Sequence, residues 1–192
     1  IRPILRGRDI KRYGYNWANL WLINTHNGIR GKLERVHIED YPAIKAHLDQ
    51  YWDRISKRAD KGDTPYNLRN CAYLDLFFQP HICWKAVGRK LAFALVEAGT
   101  FLTAPASFIS AGRYNKTVLA FLCSTIGTYF VYKNSDTTGA GDIMLNIQSL
   151  IKFPIPKIDI DFDDFSDREI DLYIYDIYKF TKEEIHYIEE LV

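Results

Sequence analysis

Apolar and polar positions along this chain fall into blocks of different period. His81 to Ala86, Lys90 to Val96 and Phe101 to Ser110 are short apolar, β-prone runs. Turn signals at Val87-Gly88-Arg89 and Glu97-Ala98-Gly99-Thr100 separate them, so the pattern predicts three successive strands. Earlier in the chain, Tyr41, Ile44, Leu48, Tyr51 or Trp52, and Ile55 recur at helical spacing. Pro42 sits in the tolerated first turn, and Arg54, Lys57 and Arg58 lie at the negative end of the dipole, which predicts a helix over 40–58. A second helix is expected from Asn115, read as its N-cap, to Lys133. It carries Val118, Leu119, Leu122, Ile126 and Phe130 on one face and is apolar almost all round, the mark of a buried helix.

Shorter signals fill the gaps. Asn19 to Thr25 reads as a strand and Asn27-Gly28 as a hairpin-type turn. Residues 59–70 and 134–142 are polar and glycine-containing, the character of exposed loops. Ile143 to Phe153 is strand-like and stops at Pro154-Ile155-Pro156. In the tail, Ser166 with Glu169 and Thr181 with Glu184 form capping boxes, each opening a helix. The whole reads as a mixed α+β fold: a twisted, largely antiparallel sheet with flanking helices and a C-terminal helical segment. Residues 1–156 form the main body and 157–192 an acidic helical appendage of the same domain.

Charge changes this picture. The formal net charge is +1 over 192 residues. Residues 1–35 alone carry +6, residues 36–156 a further +3, and residues 157–192 carry −8. A body at +9 with an acidic end suits a basic face for a polyanion, with the tail turned away or docked elsewhere. Aromatics make up 15% of the chain, which suits recognition surfaces and ordinary cores alike. Cys71, Cys83 and Cys123 are scattered without metal-ligand spacing and fit free thiols in a reducing cytoplasm. There is no signal peptide and no run able to span a bilayer, and the chain opens at Ile1 inside structured sequence, as expected of a piece of a longer protein.

Catalytic readings fare poorly. Thr138-Gly139-Ala140-Gly141-Asp142 contains a G-x-G, but the following Ile143-Met144-Leu145 is strand-like where a nucleotide or methyl-donor site wants a helix. Asp9-Ile10-Lys11 offers only the last part of a nuclease metal motif, and the five histidines lack zinc-site spacing. Asp159, Asp161, Asp163 and Asp164 lack the glycine and terminal glutamate of a calcium loop. No catalytic residue, metal ligand or cofactor is expected in this chain.

Binding is the better reading. Arginine and lysine pair with guanine, asparagine with adenine, and hydroxyls with bases or phosphates. Lys85, Arg89 and Lys90 surround one turn glycine and stand out, with Arg89 and Lys90 the leading candidates. Arg113 and Asn115, in 112–116, are grouped with this turn as one contact region; Tyr66, Asn67 and Arg69 lie on a second, 61–70, and Lys133, Asn134 and Thr137 on a third, 133–142. Each alone reads equally as a solvated loop residue; their clustering is the stronger signal. Trp84 either stacks on a nucleotide or packs, and packing is expected. A reading of another class is a protein-interaction or subunit-docking module with aromatic hot spots.

One resemblance runs along most of the chain. Leu5-Arg6-Gly7-Arg8-Asp9-Ile10-Lys11-Arg12-Tyr13 resembles the opening motif of the TaqI-like C-terminal specificity domain. Trp21-Leu22-Ile23, the Tyr41-Pro42-Ala43-Ile44-Lys45 helix, Pro65-Tyr66-Asn67-Leu68-Arg69, the three strands and Phe153-Pro154-Ile155-Pro156 follow in the family's order. The tail at Tyr175, Tyr178 and Thr181-Lys182-Glu183-Glu184-Ile185 is similar too. The resemblance implies a target recognition domain of a restriction–modification adenine-N6 DNA methyltransferase. The partners it implies are double-stranded DNA and an upstream methyltransferase domain of the same chain. That upstream domain would hold S-adenosylmethionine and flip the adenine, and Mg²⁺ would enter only with a fused endonuclease. Arg6, Arg8 and Arg12 would then lie at the domain junction or on phosphate, with Asp9 a structural ion-pair partner.

Overall fold

The computed structural model describes residues 1–192. The chain opens with β1 (Arg2–Leu5), β2 (Ile10–Lys11), β3 (Gly14–Tyr15) and β4 (Trp21–Leu22), then α1 (Pro42–Asp49) and α2 (Trp52–Ile55). The strand region holds β5 (His81–Lys85), β6 (Val87–Gly88), β7 (Phe93–Val96), β8 (Phe101–Leu102) and β9 (Ala106–Ile109). Helices α3 (Asn115–Cys123) and α4 (Thr125–Asn134) follow, then β10 (Asp136–Thr137), β11 (Ile143–Met144), α5 (Ile147–Leu150), α6 (Asp167–Tyr178) and α7 (Lys182–Glu190). The fold is α+β, as its pattern predicts.

The central sheet has the order β7-β5-β9, antiparallel throughout. Four of the five β5 residues are buried, because helices cover one face and the first strands the other. Trp84 is fully buried and donates its indole N–H to the Leu145 carbonyl at 3.2 Å. It packs, as expected. The main core joins Ile82, Trp84 and Phe93 to α3, α4 and, from the tail, Phe162, Ile170, Ile174, Tyr175 and Ile188. The acidic tail is therefore built into the same core as the sheet. Both of its capping boxes form, at Ser166 with Glu169 and at Thr181 with Glu184.

Several local expectations need correcting. Val87-Gly88 is no hairpin tip between neighbouring strands; it leaves β5 and pairs with Ile143-Met144, giving a second sheet of order β10-β11-β6. Part of the expected loop 134–142 is thus strand. Ile143–Phe153 is not one strand, since the Asn146 side chain accepts from Ser149 N–H and starts α5 instead. The helix over 115–133 breaks at Ser124, whose hydroxyl caps α4 by accepting from Gly127 N–H at 3.1 Å. The helix over 40–58 divides at Gln50-Tyr51. Of Asn19–Thr25 only Trp21-Leu22 is strand. The run 101–110 splits at a cis Ala104–Pro105 bond: β8 pairs in parallel with β1, and β9 pairs with β5.

Candidate nucleic-acid interface

The register of the central sheet decides where the predicted contact residues stand. Trp84 faces Phe93, and Lys85 faces Ala106, so Lys85 marks one end of the sheet. His81 faces Val96, and Ile82 faces Ile109, at the other end. Five extended residues separate the ends by about 13 Å.

At the Lys85 end, pairing of β6 with β11 lays residues 85–90 beside residues 134–144. Lys85, Arg89, Lys90, Asn134 and Thr137 lie on these two segments and Lys133 immediately before the second, and all are exposed. Arg89 is 83% exposed and stands 3.8 Å from Asp142, a distance at which an exposed pair contributes little. Asn134 donates to its own helix at Phe130 O, and the Lys133 ammonium lies 5.6 Å from the Tyr129 ring centre. The Lys85 stem is threaded between two glycines. A Cβ at Gly7 would lie 3.0 Å from Lys85 Cγ, and one at Gly88 would lie 3.5 Å from Lys85 Nζ. This contact brings the Arg6-Gly7-Arg8-Asp9 turn to the same rim, adding exposed Arg8.

The turn itself is held by charge. Arg6 donates Nε and Nη2 to the two oxygens of Asp9 at 3.0 and 2.8 Å, and its backbone N–H donates to Asp9 Oδ2 at 2.9 Å. Asp9 is buried, and these bonds hold its carboxyl below the ordinary carboxylate range. Asp9 is thus the structural partner its position implied. A carboxyl with a depressed folded pKa contributes stability above its unfolded value, and that contribution is lost as pH falls through the folded value. The Asp9→Asn variant is expected to show its largest deficit in denaturant midpoint near neutral pH. The gap should close on acidification below about pH 4, which a pH series of unfolding curves checks.

Arg12 faces another way. It pairs with Asp167 and donates to Cys123 O at 2.9 Å, so it docks the start of α6 against the end of α3. The Arg12 bond holds Asp167 below the usual carboxylate range.

The remaining predicted contacts are not gathered at this rim. Asn115 is buried; it donates to Pro80 O at 2.9 Å and accepts from Ala111 N–H at 2.8 Å, at the far end of β5. It is no N-cap, because a short 3₁₀ turn over Gly112–Tyr114 precedes it. Arg113 is exposed nearby, 3.9 Å from Asp159 and bonded to the Tyr114 hydroxyl at 2.7 Å. Lys116, which the loop pattern did not single out, bridges Asp161 and Asp163 at 2.6 and 2.5 Å. The acidic tail therefore pairs with Lys116 and lies beside an exposed Arg113 at this end.

Tyr66, Asn67 and Arg69 belong to a third place, beside α1. Tyr66 donates to Asp49 at 2.5 Å and lies 5.4 Å from Trp52. Asn67 is 1% exposed and donates to Val36 O at 2.9 Å and His26 O at 3.3 Å, while its side-chain oxygen accepts from Thr64. It ties loop 59–70 to residues 26–36, leaving Arg69 exposed. Asn67→Ala removes a buried amide that ties two loops together and takes the donor from Val36 O; it is expected to cost about 1–3 kcal/mol, readable as a shift in the thermal midpoint.

Comparison with known families decides what this rim belongs to. The model of the TaqI-like C-terminal specificity domain matches residues 2–155. The chain belongs to this family. The match takes in the Arg6–Asp9 turn, all four sheets and both segments of the rim, and the specificity domain's core extends past it to Ile188. Membership carries a DNA-recognition role in restriction–modification enzymes. No curated protein matches the specificity domain at a significant level. No helix in it is long and apolar enough to cross a membrane.

Proposed function

We propose that this specificity domain reads duplex DNA with the rim at the Lys85 end and directs an adenine-N6 methyltransferase of the same protein to its site. The observation that carries this reading is the β6–β11 pairing. With the β10–β11 pairing it sets Lys85, Arg89 and Lys90 in one small three-stranded sheet with Asn134 and Thr137, β11 lying between the two groups, next to Arg8. A narrow β-ribbon with projecting cations and amides suits a major groove, where donors on arginine, lysine and asparagine distinguish base pairs. Arg89 and Lys90 are the leading base contacts, and Arg8 and Lys133 suit phosphates at the flanks. The interior Asn67 and Asn115 serve the scaffold, and Arg113 stands at the opposite end of the sheet from this rim.

The chemistry lies elsewhere in this proposal. S-adenosylmethionine would be bound upstream, and Mg²⁺ would be used only by a fused endonuclease; this chain supplies the choice of sequence. A salt titration of duplex binding tests it. Affinity should fall linearly on logarithmic axes, by about 0.9 in slope per phosphate neutralised. Binding that ignores salt and is directed only at a protein partner would support a docking module instead.

A further inference from the structure

Residues 27–35 take no part in the rim, yet they form a built feature. In Asn27-Gly28-Ile29-Arg30-Gly31-Lys32 both glycines have positive φ, +75° and +74°. A Cβ at Gly28 would collide with the Leu33 carbonyl, so the turn requires glycine. Ile29 and Leu33 close it with backbone bonds of 2.8 and 2.9 Å. The N–H groups of Arg30 and Gly31, at the tip, have no acceptor.

Asn27 fastens this turn to the neighbouring loop. Its amide donates to Asp63 at 2.9 Å and to Asn70 at 2.6 Å, and its oxygen accepts from Asp63 N–H at 2.9 Å. Between the two loops lies an open cleft of about 800 Å³. The acidic groups on its wall are engaged: Glu34 with His37 at 3.0 Å, and Asp63 with Asn27 and, at 3.6 Å, Arg35. Arg30 and Lys32 are exposed and have no acidic partner. Nothing in the fold uses these two charges.

A rigid frame carrying two unpaired cations and two free N–H groups is an anion site. The cleft is open along its length, which suits a strand of phosphodiesters better than one small ion. We infer that it grips the sugar–phosphate backbone of duplex DNA, with Arg30 and Lys32 on phosphates. This rests on the DNA-reading proposal above.

The test uses the whole protein with its recognised duplex and an unrelated one. R30A/K32A should lower the salt slope by about 2 and weaken both duplexes alike. The loss should be about tenfold larger at 50 mM than at 200 mM salt, and the charge-conserving R30K/K32R should restore the slope. An unchanged slope, with duplex binding intact in the unaltered protein, overturns this inference alone. Absence of salt-dependent duplex binding in the unaltered protein overturns the DNA reading with it. Titration with inorganic phosphate should show no saturable binding; saturation abolished in R30A/K32A would assign the cleft to a small anion and overturn the inference.

Discussion

Reversing both charges in R89E/K90E is expected to weaken binding to the recognised duplex by on the order of a hundredfold or more. Each base-reading cation accounts for about 1–3 kcal/mol, and the introduced carboxylates add repulsion from phosphate. Discrimination should fall with affinity, because residues that read bases, unlike those on phosphate, distinguish one sequence from another. Stability should stay within about 0.5 kcal/mol, since both side chains are exposed and Arg89 has only a distant acidic neighbour. Duplex titrations at fixed salt, with the recognised and a scrambled sequence, read both effects. Equal losses on the two sequences would move these residues to the phosphate backbone.

Trp84→Ala is expected to be the most damaging single change to the fold, costing about 3–5 kcal/mol. The side chain is fully buried, packs 5.9 Å from the Phe93 ring and supplies the donor for Leu145 O. Truncation opens a large cavity and leaves that carbonyl unpaired in the interior. The loss approaches the entire stability of an ordinary domain. It also bears on the rim, because Leu145 is the residue after β11 and its N–H donates to Ala86 O at 2.9 Å. Trp84→Phe keeps most of the volume but not the donor. It should fold, with a lowered thermal midpoint and weaker DNA binding.

The elements legible in the sequence were those written in local code. Parts of the β-prone runs 81–86, 90–96 and 101–110, namely residues 81–85, 93–96 and 106–109, became the central sheet. The apolar helix after residue 115 was buried, and the side-chain caps at Ser166 and Thr181 formed. What escaped was long-range pairing. Nothing near Val87-Gly88 announces a partner at Ile143-Met144, and without that partner a glycine flanked by cations reads as a hairpin tip. Asn146 and Ser124 acted as helix caps within stretches whose apolar content suggested unbroken elements.

The site was legible in its residue types more than in its arrangement. Arg89 and Lys90 are proposed as contacts because cations crowd one turn. Asn67 and Asn115 share that polar character, but their amides are buried and serve backbone carbonyls, and burial is invisible in residue type. Arg113 follows β9 closely in sequence, yet antiparallel pairing carries it to the end of the sheet opposite Lys85. The charge asymmetry was real, but its use was local: the acidic tail pairs with Arg12 and Lys116 and leaves the Lys85 rim open.

The central claim is that the small sheet of β6, β10 and β11, with the segments flanking it, meets the DNA. Amide hydrogen exchange, with and without the recognised duplex, locates the contact directly. Slowed exchange is predicted at residues 85–90 and 134–144. Protection confined to the acidic tail at 157–192, with the rim unchanged, would contradict it.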